Sequence, residues 1–137
     1  MTTPRIQFGW ADAWILLSIV IASRKSGRAG LRDIIAVADG IQHAVLNYGE
    51  ADEGLARLIE AGYVICDGTD FCPSEGVLSA YAAFSKRGVR EQEREMERFI
   101  GAEPWSPGYR PLADSSGRAV SRHDFEAAVQ SYIGQFK

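Results

Sequence analysis

The chain has few of the residues that catalytic, metal-bound or disulfide-stapled proteins are built on. Cys66 and Cys72 are its only cysteines, and two alone neither staple a scaffold nor complete a zinc site, so a reduced, cytoplasmic setting is expected. There is no glycine-rich phosphate loop, no paired catalytic carboxylate motif and no metal-ligand spacing, so neither an enzyme nor a cofactor is expected. Cationic residues are not in excess. Lys and Arg number 15 against 18 Asp and Glu, a net charge of −3, so attraction to nucleic acid or an anionic membrane would have to come from a local patch. A long apolar run is missing as well. Ala13 to Ala22 is roughly half the ~20 residues of a bilayer span. Asp12 beside it and the lack of a small-x-small cleavage site argue against a signal peptide. The run reads as a helix enclosed on all sides, and no membrane association is expected.

With 46% hydrophobic residues over 137 positions, the chain can enclose one core. A first helix is expected from about Trp10 to Ser23, ending at Arg24-Lys25-Ser26-Gly27. Leu31, Ile34, Ile35 and Ala38 mark a second helix, about Gly30 to Asp39, with Gly40 as its C-terminal cap. Ile41 to Leu46 reads as a turn and a short extended piece. A third helix from about Gly49 carries Leu55, Leu58 and Ile59 and ends at Gly62. Tyr63 to Cys66, the turn Asp67-Gly68-Thr69-Asp70, and Phe71-Cys72 form a hairpin, because glycine accepts the positive φ of such turns. Pro73 closes the return strand. Ser74 caps a fourth helix bearing Val77, Leu78, Tyr81 and Phe84, broken near Gly88 and continued as a charged helix to Ile100. A proline-punctuated loop spans Gly101 to Gly117. Ser121 opens a last helix with Phe125, Ala128, Val129, Tyr132, Ile133 and Phe136 as one apolar stripe.

Three helices followed by a hairpin is the order of a winged helix-turn-helix domain. The segment Leu55-Ala56-Arg57-Leu58-Ile59-Glu60-Ala61-Gly62-Tyr63-Val64 resembles the junction where a winged-helix recognition helix ends at glycine and enters the wing. About half the chain, Trp10 to Phe84, resembles uncharacterised bacterial winged-helix proteins. The expected fold is mainly α with a small β-hairpin, a winged helix-turn-helix with additional C-terminal helices. Residues 1–100 form the domain, including the long fourth helix. Residues 101–137 supply the loop and an amphipathic helix that packs on it or on a dimer partner.

Membership implies a third helix placed in the major groove, which requires cations. Here that helix and its lead-in carry Glu50, Asp52, Glu53 and Glu60 against Arg57 alone, and the wing adds Asp67 and Asp70. Read as a solvated face or as a surface repelling phosphate, these acids disfavour the usual docking and mark a surface for a protein partner instead. Cations collect elsewhere. Arg24, Lys25, Arg28 and Arg32 surround the first interhelical turn. Lys86, Arg87, Arg90, Arg94 and Arg98 form a second group, in which the last three lie along one ridge and Glu91–Arg94 and Glu95–Arg98 are spaced to pair. These residues are candidate contacts for an acidic partner or for nucleic acid.

Other chemistry is thin. His43 lies in the turn before the third helix and His123 in the first turn of the last. Ser121, His123 and Asp124 are neighbours on one helical turn, whereas a catalytic triad converges from tertiary structure. Cys66 and Cys72 would face each other if the hairpin loop were five residues long. Trp105 and Tyr109 either pin their loop to the body or anchor a partner. Two apolar stripes on the charged and last helices exceed what the core needs, so a homodimer is expected. The function expected is a protein-interaction or regulatory module. The alternative is a DNA-binding transcriptional regulator that uses one of the basic groups.

Overall fold

A computed structural model describes residues 6–112 and 114–136. Its elements are α1 (Trp10–Ala22), β1 (Ala29–Gly30), α2 (Leu31–Gln42), α3 (Tyr48–Glu60), β2 (Val64–Asp67), β3 (Asp70–Pro73), α4 (Glu75–Ala82), α5 (Val89–Ile100) and α6 (Arg122–Gly134). The protein is mainly helical with one small antiparallel sheet in the order β1-β3-β2.

The apolar run is the centre of the molecule. Every residue of α1 from Ala11 to Val20 is buried, and the helix packs against α2, α3, α5 and β3. Such enclosure explains a helix with no polar face. Among the described residues, no helix is long and apolar enough to cross a membrane. Trp14 donates its indole N–H to the Ala38 carbonyl at 3.0 Å, which fixes α2 on α1. Asp12, only 1% exposed, accepts the Gly9 N–H at 2.9 Å and so closes the first turn of α1. Both its oxygens also accept from Arg57 on α3, at 2.9 Å each. Burial works against the Arg57 guanidinium, but the hydrogen bonds and charge of Asp12 more than offset it and raise its pKa.

The second helix runs past its expected end. Gly40 lies inside α2, and the helix stops at His43, a non-glycine residue in the left-handed region at φ 56°. Ile41 continues the spacing of Ile34 and Ala38 and packs against the core, which outweighs the ~1 kcal/mol cost of an internal glycine. The third helix starts at Asn47, whose side chain accepts the Glu50 N–H at 2.7 Å while Glu50 accepts the Asn47 N–H at 3.1 Å.

The hairpin turns through Gly68, at φ +64°, and Thr69. This register pairs Cys66 with Phe71 and Cys72 with Ile65, so the cysteines point to opposite faces and both are free. The facing arrangement that a five-residue loop would give does not arise with this two-residue turn. No local pattern marks β1, which adds Ala29 and Gly30 to the other edge of β3.

The two C-terminal apolar stripes are largely covered within the chain. Met96 and Ile100 are buried as α5 packs on α1. Phe125 and Tyr132 are buried as α6 packs on α2, and Tyr132 donates to Asp39 at 2.5 Å. Val89 and Phe99 of the α5 stripe and Ile133 and Phe136 of the last stripe stay exposed.

Removing one partner of a buried ion pair costs about 3–5 kcal/mol, because the other charge is left uncompensated. Asp12→Ala is therefore expected to lower urea-denaturation stability by about that much, with Asp12→Asn, which keeps an acceptor for Gly9, falling between it and the parent.

Candidate functional site

The expected acidic face of α3 is not a surface. Glu60 is the only exposed residue among the thirteen of α3. Glu50 and Asp52 are 5% and 0% exposed. The covering layer is formed by residues 109–112 and 114–120, here termed the strap.

Asp52 holds the strap. Its Oδ2 accepts the N–H groups of Gly117 at 2.8 Å and Arg118 at 3.1 Å, and its Oδ1 those of Ala119 at 2.6 Å and Val120 at 2.9 Å. The Ser115 hydroxyl donates to it as well. Consecutive amides converging on one anion form a nest, and Gly117, at φ +70°, supplies the left-handed residue that curls it. Beside it, Tyr48 donates its hydroxyl to the Val120 carbonyl at 2.8 Å, and Tyr109 donates to Glu50. Burial first, and then the Glu50 carboxylate, push the Tyr109 phenol pKa up. Helix and strap touch backbone to backbone: a Cβ on Gly49 would lie 2.0 Å from the Leu112 carbonyl oxygen.

The remaining acids of this region are engaged too. Arg118 lies 4.0 Å from Glu53 and 3.5 Å from Glu60. Arg28 lies 3.2 Å from Asp67 and 3.9 Å from Asp70, tying the hairpin to the α1–β1 turn. A cleft of about 280 Å³ bounded by Asp12, Glu50, Arg57 and Tyr109 is lined by these already paired groups.

The first basic group is dispersed in the same way. Arg24 donates to the Tyr81 hydroxyl and lies 5.5 Å from the centre of that ring. Arg32 donates to Gln135 at 2.7 Å, Arg28 serves the hairpin, and Lys25 is exposed. On α5, Arg98 pairs with Glu95 at 2.6 Å, as its spacing suggested. Arg90 and Arg94 are exposed, and among the described residues neither has a carboxylate within 4.0 Å; the Glu91–Arg94 pair does not form.

Those two arginines border a groove of about 740 Å³ between the end of α2 and residues 89–97 of α5. Trp10, Ile41, Gln42, His43, Glu93 and Glu97 line it with them, and Pro104 and Trp105 close one side. Trp10 is held by stacking on Trp14, centroids 5.4 Å apart, and by the edge of Tyr109 at 5.3 Å. Trp105 is 56% exposed. The two loop aromatics therefore divide the roles expected of them: Tyr109 pins the strap, and Trp105 stands at the groove. Arg90, Arg94 and Trp105 were legible as candidates. Trp10, His43, Glu93 and Glu97 were not, since no local pattern joins residues from α1, α2 and α5. Glu93 is buried and accepts from Gln42. Burial, with a smaller contribution from Glu97, pushes its carboxyl up to about 6, against the opposing pull of Gln42 and Arg90. No cluster of three or more His, Cys, Asp or Glu among the described residues is placed to hold a metal ion.

Loss of the Asp52 carboxylate would leave a row of strap amides without their acceptor. Asp52→Ala is expected to cost about 2–4 kcal/mol and to speed tryptic cleavage after Arg118 at least several-fold, with Asp52→Asn intermediate. The second prediction concerns pH. An acid whose folded pKa lies above its unfolded value favours the fold while protonated, below about 4.5, and loses that advantage as pH rises through about 6. Glu93→Gln, which keeps the acceptor for Gln42, is therefore expected to raise the melting temperature at pH 7.5 by about 3 °C, near 1 kcal/mol after allowance for solvent screening. At pH 4.5 it should give no gain.

No family model, no curated protein and no solved structure matches this chain.

Proposed function

We propose that this chain is a winged helix-turn-helix protein that works as a non-enzymatic interaction or regulatory module, with its recognition helix sealed by its own C-terminal strap. The order α1-β1-α2-α3-β2-β3, with the short β1 joining the hairpin through β3, supports the winged-helix reading. In that arrangement α3 is the helix that would enter the major groove and β2–β3 is the wing.

One observation carries the functional reading. Twelve of the thirteen residues of α3 are buried or half-buried, all except Glu60, and the strap occupies the side on which a duplex would lie. Glu50 and Asp52, from which the sequence suggested repulsion of phosphate, lie beneath the strap and are bonded to it, so a duplex would meet the strap before either carboxylate. The obstacle is steric. The hairpin adds little, since its turn is two residues long and its acids are matched by Arg28.

A second reading, a DNA-binding regulator with a non-standard pose, is favoured by one feature: Arg90 and Arg94 project from α5 without ion-pair partners among the described residues.

Fluorescence anisotropy with a random DNA duplex at low salt separates the two. We expect no saturable binding over the roughly 1–100 μM range in which non-specific complexes form. Salt-sensitive binding lost in the triple variant Arg90→Ala, Arg94→Ala, Arg98→Ala would install the second reading in place of the first.

A further inference from the structure

We propose that the groove between α2 and α5 is a docking site for an acidic polypeptide segment carrying an aromatic or aliphatic anchor. This inference rests on the interaction-module reading and names the partner chemistry.

The groove joins three properties. Its size, about 740 Å³, lies within the ~300–1,000 Å³ of ordinary binding clefts. Its apolar elements are Trp10 and Ile41, half-buried, and Val89 and Trp105, exposed at 39% and 56%. Tryptophan and arginine are the residues that most often carry interface energy. Its charges are sorted by depth. Arg90 and Arg94 are exposed, whereas Glu93 is buried and Glu97 half-buried. A ligand approaching from solvent therefore meets guanidinium groups first and carboxylates below them.

That layering selects the class of ligand. A peptide brings backbone N–H donors for the deeper carboxylates and acidic side chains for the arginines, in the bidentate geometry that guanidinium and carboxylate share. A nucleic acid brings anionic phosphates and no backbone donor, so Glu93 and Glu97 would face like charge. A basic peptide would be repelled at the rim. Burial of Glu93, which keeps its carboxyl easier to protonate than an exposed one, lowers the cost of covering it with a ligand.

The experiment uses the full chain. Phage-displayed random dodecapeptides are panned against it, and the enriched sequences are measured by tryptophan fluorescence with the parent and with the surface variants Arg90→Glu/Arg94→Glu and Trp105→Ala, whose folding is checked by circular dichroism. Enrichment of acidic sequences with a large apolar residue is expected. Their affinity should fall at least tenfold in the double charge reversal and about tenfold in Trp105→Ala, the loss typical of an interface anchor. Enrichment of basic sequences, enrichment indifferent to these variants, or no enrichment would overturn the assignment. Binding of oligo-dT lost in the same double variant would give the groove to nucleic acid. Duplex anisotropy keeps the two levels apart. A chain that ignores duplex DNA and yields no arginine-dependent peptide loses this groove and keeps the interaction reading. A chain that binds duplex through α5 loses both.

Discussion

A single carboxylate decides what α3 is available for. Asp52 sits in the middle of that helix and accepts from residues 115 and 117–120 of the chain. Burying an anion is costly unless its lone pairs are filled, and here the strap fills them. The converse also holds. A run of consecutive amides cannot be buried without an acceptor, and without Asp52 the segment would have to return to water. Helix and strap each satisfy the other's buried polar groups. With the strap in place, Glu60 is the one exposed residue of α3.

Much of the architecture is written locally. The limits of α1 follow from the end of an apolar run, the hairpin from Asp67-Gly68, and the starts of α4 and α6 from Ser74 and Ser121, each accepting a backbone N–H. Each of these depends on residues within a few positions. The start of α3 had a signal of the same kind, Asn47 followed three residues later by Glu50. The two-residue β1 has too little length for any alternation, and the end of α2 moved because a core contact at Ile41 overrode the propensity of Gly40.

The site was legible only in fragments. Glu50 and Asp52 have the character of solvated helix residues, and only partners 59 to 68 positions away make them internal. The sequence suggests these acids as an exposed face, and the fold turns Glu50 and Asp52 inward. In the same way, the repeat of arginines on α5 is visible in one dimension, while the tryptophan, histidine and glutamates that give it a cleft arrive from other elements.

The contact between Gly49 and Leu112 has a use beyond this molecule. A strap that crosses a helix at backbone distance tolerates no side chain at the crossing, and it needs its anion one turn further along. Glycine followed three residues later by aspartate, inside the third helix and answered some sixty residues on by a serine-glycine turn, is thus a compact signature. Among sequences that share this order of helices and hairpin, it would sort those whose third helix is permanently sheathed from those that leave it bare.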